Sequence, residues 1–255
     1  NWIDLNGNTT NDITDVMFIS EDTGYICTKG GVYTQTHGEI LITYNGGNNW
    51  SQLYQGSISG VYQSYFKIEK IINGDITIIG YENWINSNNT SISYGRRFNY
   101  QTSTNIMNQS NVLMNGGIPY DSYSYSSNSY TLVGGSGMPL GGASWTSTNW
   151  IKTNISGINI SVNFPTGWST ANSSLYSIDM LDANPINGVT VGSEGKIYNL
   201  SSTTSSNNSM VENTSFSSTT IDLWSVDMMN DKGWIVGNLG TILFTVDSGQ
   251  TWSPY

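Results

Sequence analysis

The chain has 255 residues, of which only 10% are charged, and much of the remainder is Asn, Ser, Thr, Gly and Tyr. Eight basic residues against 18 acidic ones give a net charge of −10, which argues against nucleic acid as a partner because phosphate binding needs many Lys and Arg contacts. No apolar run is long enough to span a membrane as a helix, and the composition favours an extracellular, cell-surface or virion-surface location over the cytosol.

The first set of predicted elements lies between residues 13 and 50. Short alternating apolar runs separated by Gly and Asn turns predict β-strands rather than helices. The predicted strands are 15–18, 24–26 and 40–43, and a tight turn at 43–50 follows them and ends in Trp50. We therefore expect a small antiparallel sheet here.

Three less regular copies of this set follow. Each pairs one strand with a second strand ending in Gly: 65–68 with 76–80, 123–125 with 130–134, and 175–180 with 188–192. A final regular copy lies at 224–228, 233–235 and 242–245, and its turn ends in Trp252. The residue that ends the second strand recurs about every fifty residues, at Thr28, Gly80, Gly134, Gly192 and Gly237. This periodicity indicates one repeated unit.

The length of the repeat predicts the architecture. A period of about fifty residues of short strands is typical of a four-stranded propeller blade, and ring closure protects the sheet edges. We therefore predict an all-β propeller in one domain with about five four-stranded blades, at about 3–50, 51–103, 104–150, 151–205 and 206–255. Trp2 and Trp252 lie at opposite ends of the sequence, so residues 1–5 are expected to pair with the last blade and close the ring.

Two turns share one spacing of residue types: TYNGGNNW at 43–50 and TVDSGQTW at 245–252. Both resemble the Asp-box of bacterial neuraminidase repeats, whose pattern is Ser/Thr-x-Asp-x-Gly-x-Thr-Trp. The whole repeat is similar to the photosystem II assembly-factor-like branch of those propellers. The match is good over 1–50 and 221–252, moderate over 175–200 and poor between. The matching box residues are Asn45, Gly47, Trp50, Asp247, Gly249 and Trp252.

The box is a structural device rather than a site. We expect the Asp or Asn side chain to accept backbone N–H groups within the turn, the glycine to adopt positive φ, and the Trp to pack into the blade. The resemblance implies that the ligand site lies away from the boxes. It also implies several functions, since the family includes sialidases, assembly factors and many secreted proteins, and a shared fold does not choose among them.

Arginine content argues against sialidase activity. A sialidase needs three arginines to bind the carboxylate of its substrate, and the bidentate guanidinium cannot be replaced by Lys. This chain has only Arg96 and Arg97, whose side chains would point to opposite faces of a strand. We interpret them as a solvated loop pair, with a contact to an anion or a partner as the alternative.

Carboxylates on the first strands keep a second enzyme class open. Asp15, Asp179 and Asp227 occupy similar places in their repeats, as the acids of a five-bladed glycoside hydrolase would. They recur because the repeat recurs, whereas a catalytic set should break the symmetry of the repeat. We therefore predict a non-enzymatic protein, with the glycoside hydrolase as the alternative.

Metal and cofactor chemistry has little support in the sequence. The chain has one histidine, His37, and one cysteine, Cys27, which we expect to be a buried small apolar residue. The segment from Asp4 to Asp15 has oxygen ligands spaced as in a calcium loop, but Thr9 stands where that loop requires glycine. No metal site and no cofactor are predicted.

Aromatic residues outside the repeat pattern are the candidate ligand contacts. Trp and Tyr rings stack on sugars and anchor protein interfaces, so we predict a binding protein for a glycan or a protein partner, as part of a surface or virion assembly. Packing between irregular blades is the alternative interpretation. The candidate site residues are Trp84, Trp145, Trp168, Tyr123, Tyr125 and Arg96.

Many Asn-x-Ser/Thr sequences are candidate N-glycosylation sites, although a chain rich in these residues contains many by chance. They are Asn8, Asn49, Asn88, Asn89, Asn108, Asn154, Asn159, Asn172, Asn199, Asn207 and Asn213.

Overall fold

The computed structural model describes most of the chain in fifteen stretches. These are residues 7–31, 35–56, 61–72, 75–85, 91–109, 114–115, 117–126, 129–136, 150–155, 158–160, 162–163, 174–183, 186–204, 207–216 and 220–255. Their regular structure is β-strand apart from two short 3-10 turns, Ser193–Gly195 and Asn238–Gly240. The predicted all-β class is confirmed.

The described strands form five separate sheets, each built mainly from strands adjacent in sequence. The first contains β1 (Ile13–Phe18), β2 (Gly24–Thr28), β3 (Glu39–Thr43) and β4 (Ser51–Gln55), in that order. The second contains β5 (Val61–Ile72), β6 (Asp75–Ile85), β7 (Ser91–Gln101) and β8 (Ile106–Gln109), with β9 (Met114–Asn115) paired to β7. The third contains β10 (Gly117–Ser126), β11 (Ser129–Ser136), β12 (Trp150–Ile155) and β13 (Ile158–Ile160).

The last two sheets repeat the same plan. The fourth contains β14 (Val162–Asn163), β15 (Leu175–Ala183), β16 (Ile186–Gly192), β17 (Ile197–Thr204) and β18 (Asn207–Glu212), with β14 parallel to β18. The fifth contains β19 (Leu223–Met229), β20 (Lys232–Gly237), β21 (Ile242–Thr245) and β22 (Ser253–Pro254). All other strand pairs described in these two sheets are antiparallel.

The predicted blade boundaries lie too early in the sequence. The boundary after residue 50 assigns β4 to the second repeat, but β4 pairs with β3 of the first sheet. The boundaries after residues 103, 150 and 205 likewise cut off β8, most of β12, and β18 from the strands that they pair with. The physical reason is that the turn ending in Trp leads into the outer strand of its own sheet. Residues 1–5, predicted to close the ring, lie outside the described residues.

The sheets fall into two compact units, the first holding β1–β9 and the second holding β10 from Pro119 onward through β22. This division does not test the predicted single domain, because repeated sheets contact mainly their sequence neighbours. The first unit has a core that includes Tyr65, Ile78 and Phe98. The second has two clusters, one around Leu175 and Ile178 and the other around residues that include Ile235, Leu243 and Trp252.

A β-bulge recurs at one position of the first strand. The register between first and second strands shifts between Ile13 and Asp15, Tyr65 and Lys67, Leu175 and Ser177, and Leu223 and Ser225. A bulge leaves one extra residue on the bulged strand and redirects its side chain. We call this extra residue the bulge position; in these four strands it is Thr14, Phe66, Tyr176 and Trp224.

The bulge explains the periodic glycine of the sequence. Gly80, Gly192 and Gly237 lie opposite the residue that precedes the bulge position. A Cβ atom at Gly80 or Gly192 would lie 2.0 Å from the carbonyl oxygen of the residue before the bulged segment, and one at Gly237 would lie 2.6 Å away. At these three positions only glycine allows this close backbone approach, whereas Thr28 occupies the equivalent place in the first sheet.

Candidate functional site

The two resembling turns have the same hydrogen-bond network. Asn45 Oδ1 accepts the backbone N–H of Asn49 at 2.9 Å, and Thr43 Oγ1 accepts that of Gly47 at 3.0 Å. Gly47 has φ of +88°. Trp50, at the end of the turn, is buried beside Ile26 and Leu41.

The second turn repeats these contacts with a carboxylate in place of the amide. Asp247 Oδ1 accepts the backbone N–H of Thr251 at 2.9 Å, and Gly249, with φ of +79°, donates to Thr245 Oγ1 at 3.1 Å. Hydrogen bonds from Thr251 and then from Thr245 lower the pKa of Asp247 to about 2. Trp252 is 2% exposed. The predicted roles of side chain, glycine and Trp are confirmed at both turns, and they are structural roles.

The two arginines do not form a solvated loop pair, so that interpretation is wrong. Both lie on β7, where Arg96 pairs with Glu82 and Arg97 pairs with Glu69. Their side chains are only 15% and 10% exposed, and each charge is neutralised by a buried glutamate, Glu82 on the adjacent strand β6 and Glu69 on β5, two strands away. Glu82 also accepts a hydrogen bond from Gln63 Nε2 at 3.3 Å. Arg96 thus belongs to a buried polar network.

The other predicted ligand contacts do not come together in the part of the chain that the structure describes. Trp84 is half-buried on β6, and its ring centroid lies 4.9 Å from that of Tyr94. Tyr123 is half-buried against the Leu175 cluster. Trp145, Trp168 and the side chain of Tyr125 lie outside the described residues. The alternative interpretation, that these aromatic residues serve in packing, therefore applies to Trp84 and Tyr123.

The first-strand carboxylates differ from their predicted arrangement. By the bulge register, Asp15 is equivalent to Ser177 and Ser225, whereas Asp179 is equivalent to Asp227, so the three acids do not share one repeat position. Asp15 Oδ2 accepts the backbone N–H of Ile68 at 2.8 Å.

Similar bonds join neighbouring sheets in the second unit. Asp179 Oδ2 accepts the backbone N–H of Met228 at 2.6 Å, and Asp121 Oδ2 accepts that of Ile178 at 3.1 Å. Asp15, Asp121 and Asp179 thus link the first strand of one sheet to that of the next. Asp227 is exposed.

Three aromatic side chains lie side by side on the first strands of the third, fourth and fifth sheets. The ring centroids of Tyr120 and Tyr176 are 5.5 Å apart, and those of Tyr176 and Trp224 are 4.4 Å apart with stacked planes. We call these three residues the aromatic ladder. Tyr176 and Trp224 occupy the bulge position, and Tyr120 precedes Asp121 just as Tyr176 precedes Ser177.

The ladder is partly open to solvent. Trp224 is 48% exposed, and its indole Nε1–H donates to Asn238 Oδ1 at 2.6 Å. Burial, the nearby Asp222 carboxylate and then Tyr120 raise the pKa of Tyr176, so its phenol stays neutral at physiological pH. A row of partly exposed aromatic rings can stack on a sugar, an aromatic group or a cation.

Sequence reasoning missed Tyr176 and Trp224 because it looked for aromatic residues outside the repeat. Tyr176 and Trp224 were used as strand markers, and nothing in the periodicity showed that they follow a bulge. The signal was present, however: each precedes Ser, and each lies just after an apolar residue that opens a first strand. A bulge cannot be distinguished from a regular strand without the pairing register.

The structure separates the described sequons by accessibility. Asn213 is 9% exposed, and its Nδ2 donates to the carbonyl oxygens of Gly249 and Gln250 at 2.9 and 3.0 Å. This amide is unavailable for glycosylation in the folded chain. Asn199 Nδ2 is bonded to Gly249 in the same way, at 3.1 Å.

Three described sequon residues are exposed, namely Asn8, Asn49 and Asn108. The side chains of the remaining sequon residues lie outside the described part of the chain: Asn88, Asn89, Asn154, Asn159, Asn172 and Asn207.

Two classes of site can be assessed only within the described residues. No group of three His, Cys, Asp or Glu side chains there is placed to bind a metal. Among the same residues, no helix has the length and apolar character needed to cross a membrane. Cys27 is fully buried as predicted, and burial raises the pKa of its thiol to about 12.

No protein-family model matches the chain, and no curated protein matches its sequence. Solved structures do resemble it. YCF48 from Cyanidioschyzon merolae is 13% identical, with a TM-score of 0.57, over 95% of this chain and 69% of that protein. An α-L-arabinofuranosidase of Fusarium graminearum is 11% identical, with a TM-score of 0.53, over 95% of this chain and 80% of the enzyme.

An α-L-arabinanase of Penicillium chrysogenum is also similar. It is 8% identical, with a TM-score of 0.53, over 91% of this chain and 77% of the enzyme. Similarity at such low identity establishes the fold and leaves the activity open. The chain is an all-β propeller.

Proposed function

We propose that this propeller is a non-enzymatic binding protein and that the aromatic ladder contacts its partner, a protein or a glycan. The observation that carries the proposal is the stacking of Tyr120, Tyr176 and Trp224 on successive first strands, with Trp224 48% exposed. Monomeric proteins usually bury Trp and Tyr, and these residues are enriched where partners bind.

The described carboxylates support binding over hydrolysis. A glycoside hydrolase needs two carboxyl groups about 5–10 Å apart on either side of the scissile bond. Asp15 and Asp179 instead accept backbone N–H groups of the neighbouring sheet, so they stabilise the packing of the sheets. The glycoside hydrolase alternative would rest on Asp227, whose carboxylate is exposed. Loss of arabinan hydrolysis on Asp227→Asn in the purified protein would favour that alternative.

We further infer that the turns 43–50 and 245–252 are Asp-boxes and that the five sheets correspond to five blades. The support is the shared hydrogen-bond network of the turns and the repeated bulge. The low charge and the exposed sequon residues Asn8, Asn49 and Asn108 support an extracellular or surface location within a larger assembly. Mass spectrometry of protein from its natural source would reveal glycans at these three residues and none at Asn213.

The binding proposal is tested by array screening of matched variants. Purified chain, Trp224→Ala and Trp234→Ala are each applied to a glycan array and to an array of short peptides. Trp234 is a suitable control because it is 46% exposed on the same sheet and packs on Phe244 and Tyr255 rather than on the ladder. We expect signals that Trp224→Ala abolishes and Trp234→Ala retains. Array signals that are absent or equally affected by the two substitutions would contradict the proposal.

A further inference from the structure

Asp222 and the turn that carries Glu194 lie beside the aromatic ladder. Asp222 immediately precedes β19, and its carboxylate raises the pKa of Tyr176. Asp222 Oδ1 accepts the backbone N–H of Glu194 at 3.1 Å, so the turn that carries Glu194 is held next to the ladder. Glu194 is exposed and Asp222 is half-buried. The Asp222 carboxylate and the turn that carries Glu194 form what we call the acidic border of the ladder.

The two 3-10 turns beside the ladder have the same unusual backbone. Glu194 has φ of +59° and the equivalent Leu239 has φ of +58°, a region that side-chain-bearing residues rarely adopt. Leu239 is 91% exposed, and the neighbouring Asn238 accepts the indole N–H of Trp224. Backbone strain of this kind clusters at ligand-binding and switch segments. Both turns are hydrogen-bonded to residues at the start of β19, one to Asp222 and the other to Trp224.

The acidic border has no internal counter-charge among the described residues. The basic side chain nearest to Glu194 in sequence, Lys196, pairs with Glu212. Neither Asp222 nor Glu194 takes part in an ion pair within the described part of the chain. The whole chain has a net charge of −10. An uncompensated acidic border attracts a positively charged partner group.

We propose that the ladder and its acidic border bind the guanidinium group of an arginine in a basic protein segment. A planar guanidinium stacks on the face of Trp or Tyr and donates hydrogen bonds to carboxylates at the same time. Trp224 supplies the exposed ring, Glu194 and Asp222 supply the acceptors, and Leu239 contacts an apolar residue next to the arginine. This inference rests on the proposed binding function and narrows its partner to an arginine-bearing polypeptide.

The probe is a peptide with three arginines spaced by Gly-Ser, and its control has citrulline at the same positions. Citrulline keeps the planar shape of arginine and removes its charge. We expect the arginine peptide to bind at least about tenfold more tightly than the citrulline peptide in isothermal titration at low salt. The difference should shrink at high salt because surface charges are screened.

Substitutions test whether the arginine peptide binds at the ladder. Trp224→Ala should weaken binding of the arginine peptide about tenfold, and Trp234→Ala should leave it unchanged. Glu194→Gln, an exposed substitution that keeps the side-chain shape, should weaken binding of the arginine peptide and have no effect on the citrulline peptide. Equal binding of the two peptides, or arginine binding that is unaffected by Trp224→Ala, would overturn this inference.

The outcomes separate this inference from the proposed function. If the citrulline peptide or a neutral glycan binds and Trp224→Ala abolishes that binding, the ladder is a binding site but arginine is not its ligand. If neither peptide and no array ligand binds in a Trp224-dependent way, the proposed function fails as well.

Discussion

The first and last sheets share their backbone plan and differ at the bulge position. In the first sheet Thr14 occupies it, and its hydroxyl lies within hydrogen-bond distance of the carbonyl oxygens of Cys27 and Tyr65, at 3.0 and 2.7 Å. In the last sheet Trp224 occupies it, stacks on Tyr176 and remains exposed. The same bulge therefore either bonds one sheet to the next or presents an aromatic ring to solvent. The side chain, not the backbone, decides which.

The largest effect is expected at the buried Trp of each turn. Trp252→Ala should lower the free energy of unfolding by about 3–5 kcal/mol, because it removes a side chain that is 2% exposed within a cluster of eight buried residues. Trp50→Ala should lower the free energy of unfolding by less, because Trp50 packs with only two other buried residues in its cluster. Urea denaturation of both variants measures this order. A greater loss for Trp50→Ala would contradict this order and the difference in cluster size from which it follows.

The next largest loss of stability is expected at the residue opposite the bulge, which is glycine in the last sheet and threonine in the first. Gly237→Ala should cost about 1–3 kcal/mol, because the new Cβ would lie 2.6 Å from the carbonyl oxygen of Asp222. The first sheet has Thr28 at this position, where the hydroxyl accepts the backbone N–H of Glu39 at 2.8 Å. Thr28→Gly should therefore also destabilise the fold, by about 1 kcal/mol for the lost hydrogen bond. Thermal unfolding of the two variants gives the comparison.

Replacing the last bulge residue with its counterpart in the first sheet should separate stability from binding. Trp224→Thr should change the free energy of unfolding by less than about 1 kcal/mol, because Trp224 is already 48% exposed. It should nevertheless abolish the ligand signals on the arrays. A stability loss as large as that of Trp252→Ala would show that Trp224 is a core residue instead.

The smallest effect is expected at Asp247, the carboxylate of the turn 245–252. The pKa of Asp247 is lowered from 3.8 to about 2 in the folded chain, so the carboxylate stabilises the fold above about pH 4 and this contribution is lost as the pH falls toward 2. Asp247→Asn should remove that pH dependence, since the equivalent Asn45 does not titrate. The measurement is the difference in unfolding free energy between chain and variant from pH 5 to pH 2. A difference that stays constant across this range would show that Asp247 is not the source of the pH dependence.

Much of the fold could be predicted from the repeat. The strands of the first and last sheets, the hairpin roles of Asn45 and Asp247 and the burial of Cys27 follow from local patterns. The first boundary was wrong because Trp50 was taken as a blade end, whereas it precedes β4, an outer strand that has little apolar character of its own. Strand pairing across a turn depends on register, which composition does not encode.

The site was harder to predict than the fold. Arg96 and Trp84 attracted attention because they break the repeat, yet a buried glutamate and a tyrosine on neighbouring strands account for them. Trp224 was overlooked because it fits the repeat. Its exposure depends on a bulge and on stacking between sheets, and both are tertiary features.

The indole resonance of Trp224 reports whether the bulge position of the last sheet contacts the partner. Its Nε1–H signal is assigned by its loss in Trp224→Phe and followed in ¹H–¹⁵N NMR spectra while the arginine peptide is added. We expect this signal to shift with saturation and the signal of the Trp234 indole to stay unchanged. An unmoved Trp224 signal in the presence of bound peptide would contradict contact at the bulge position.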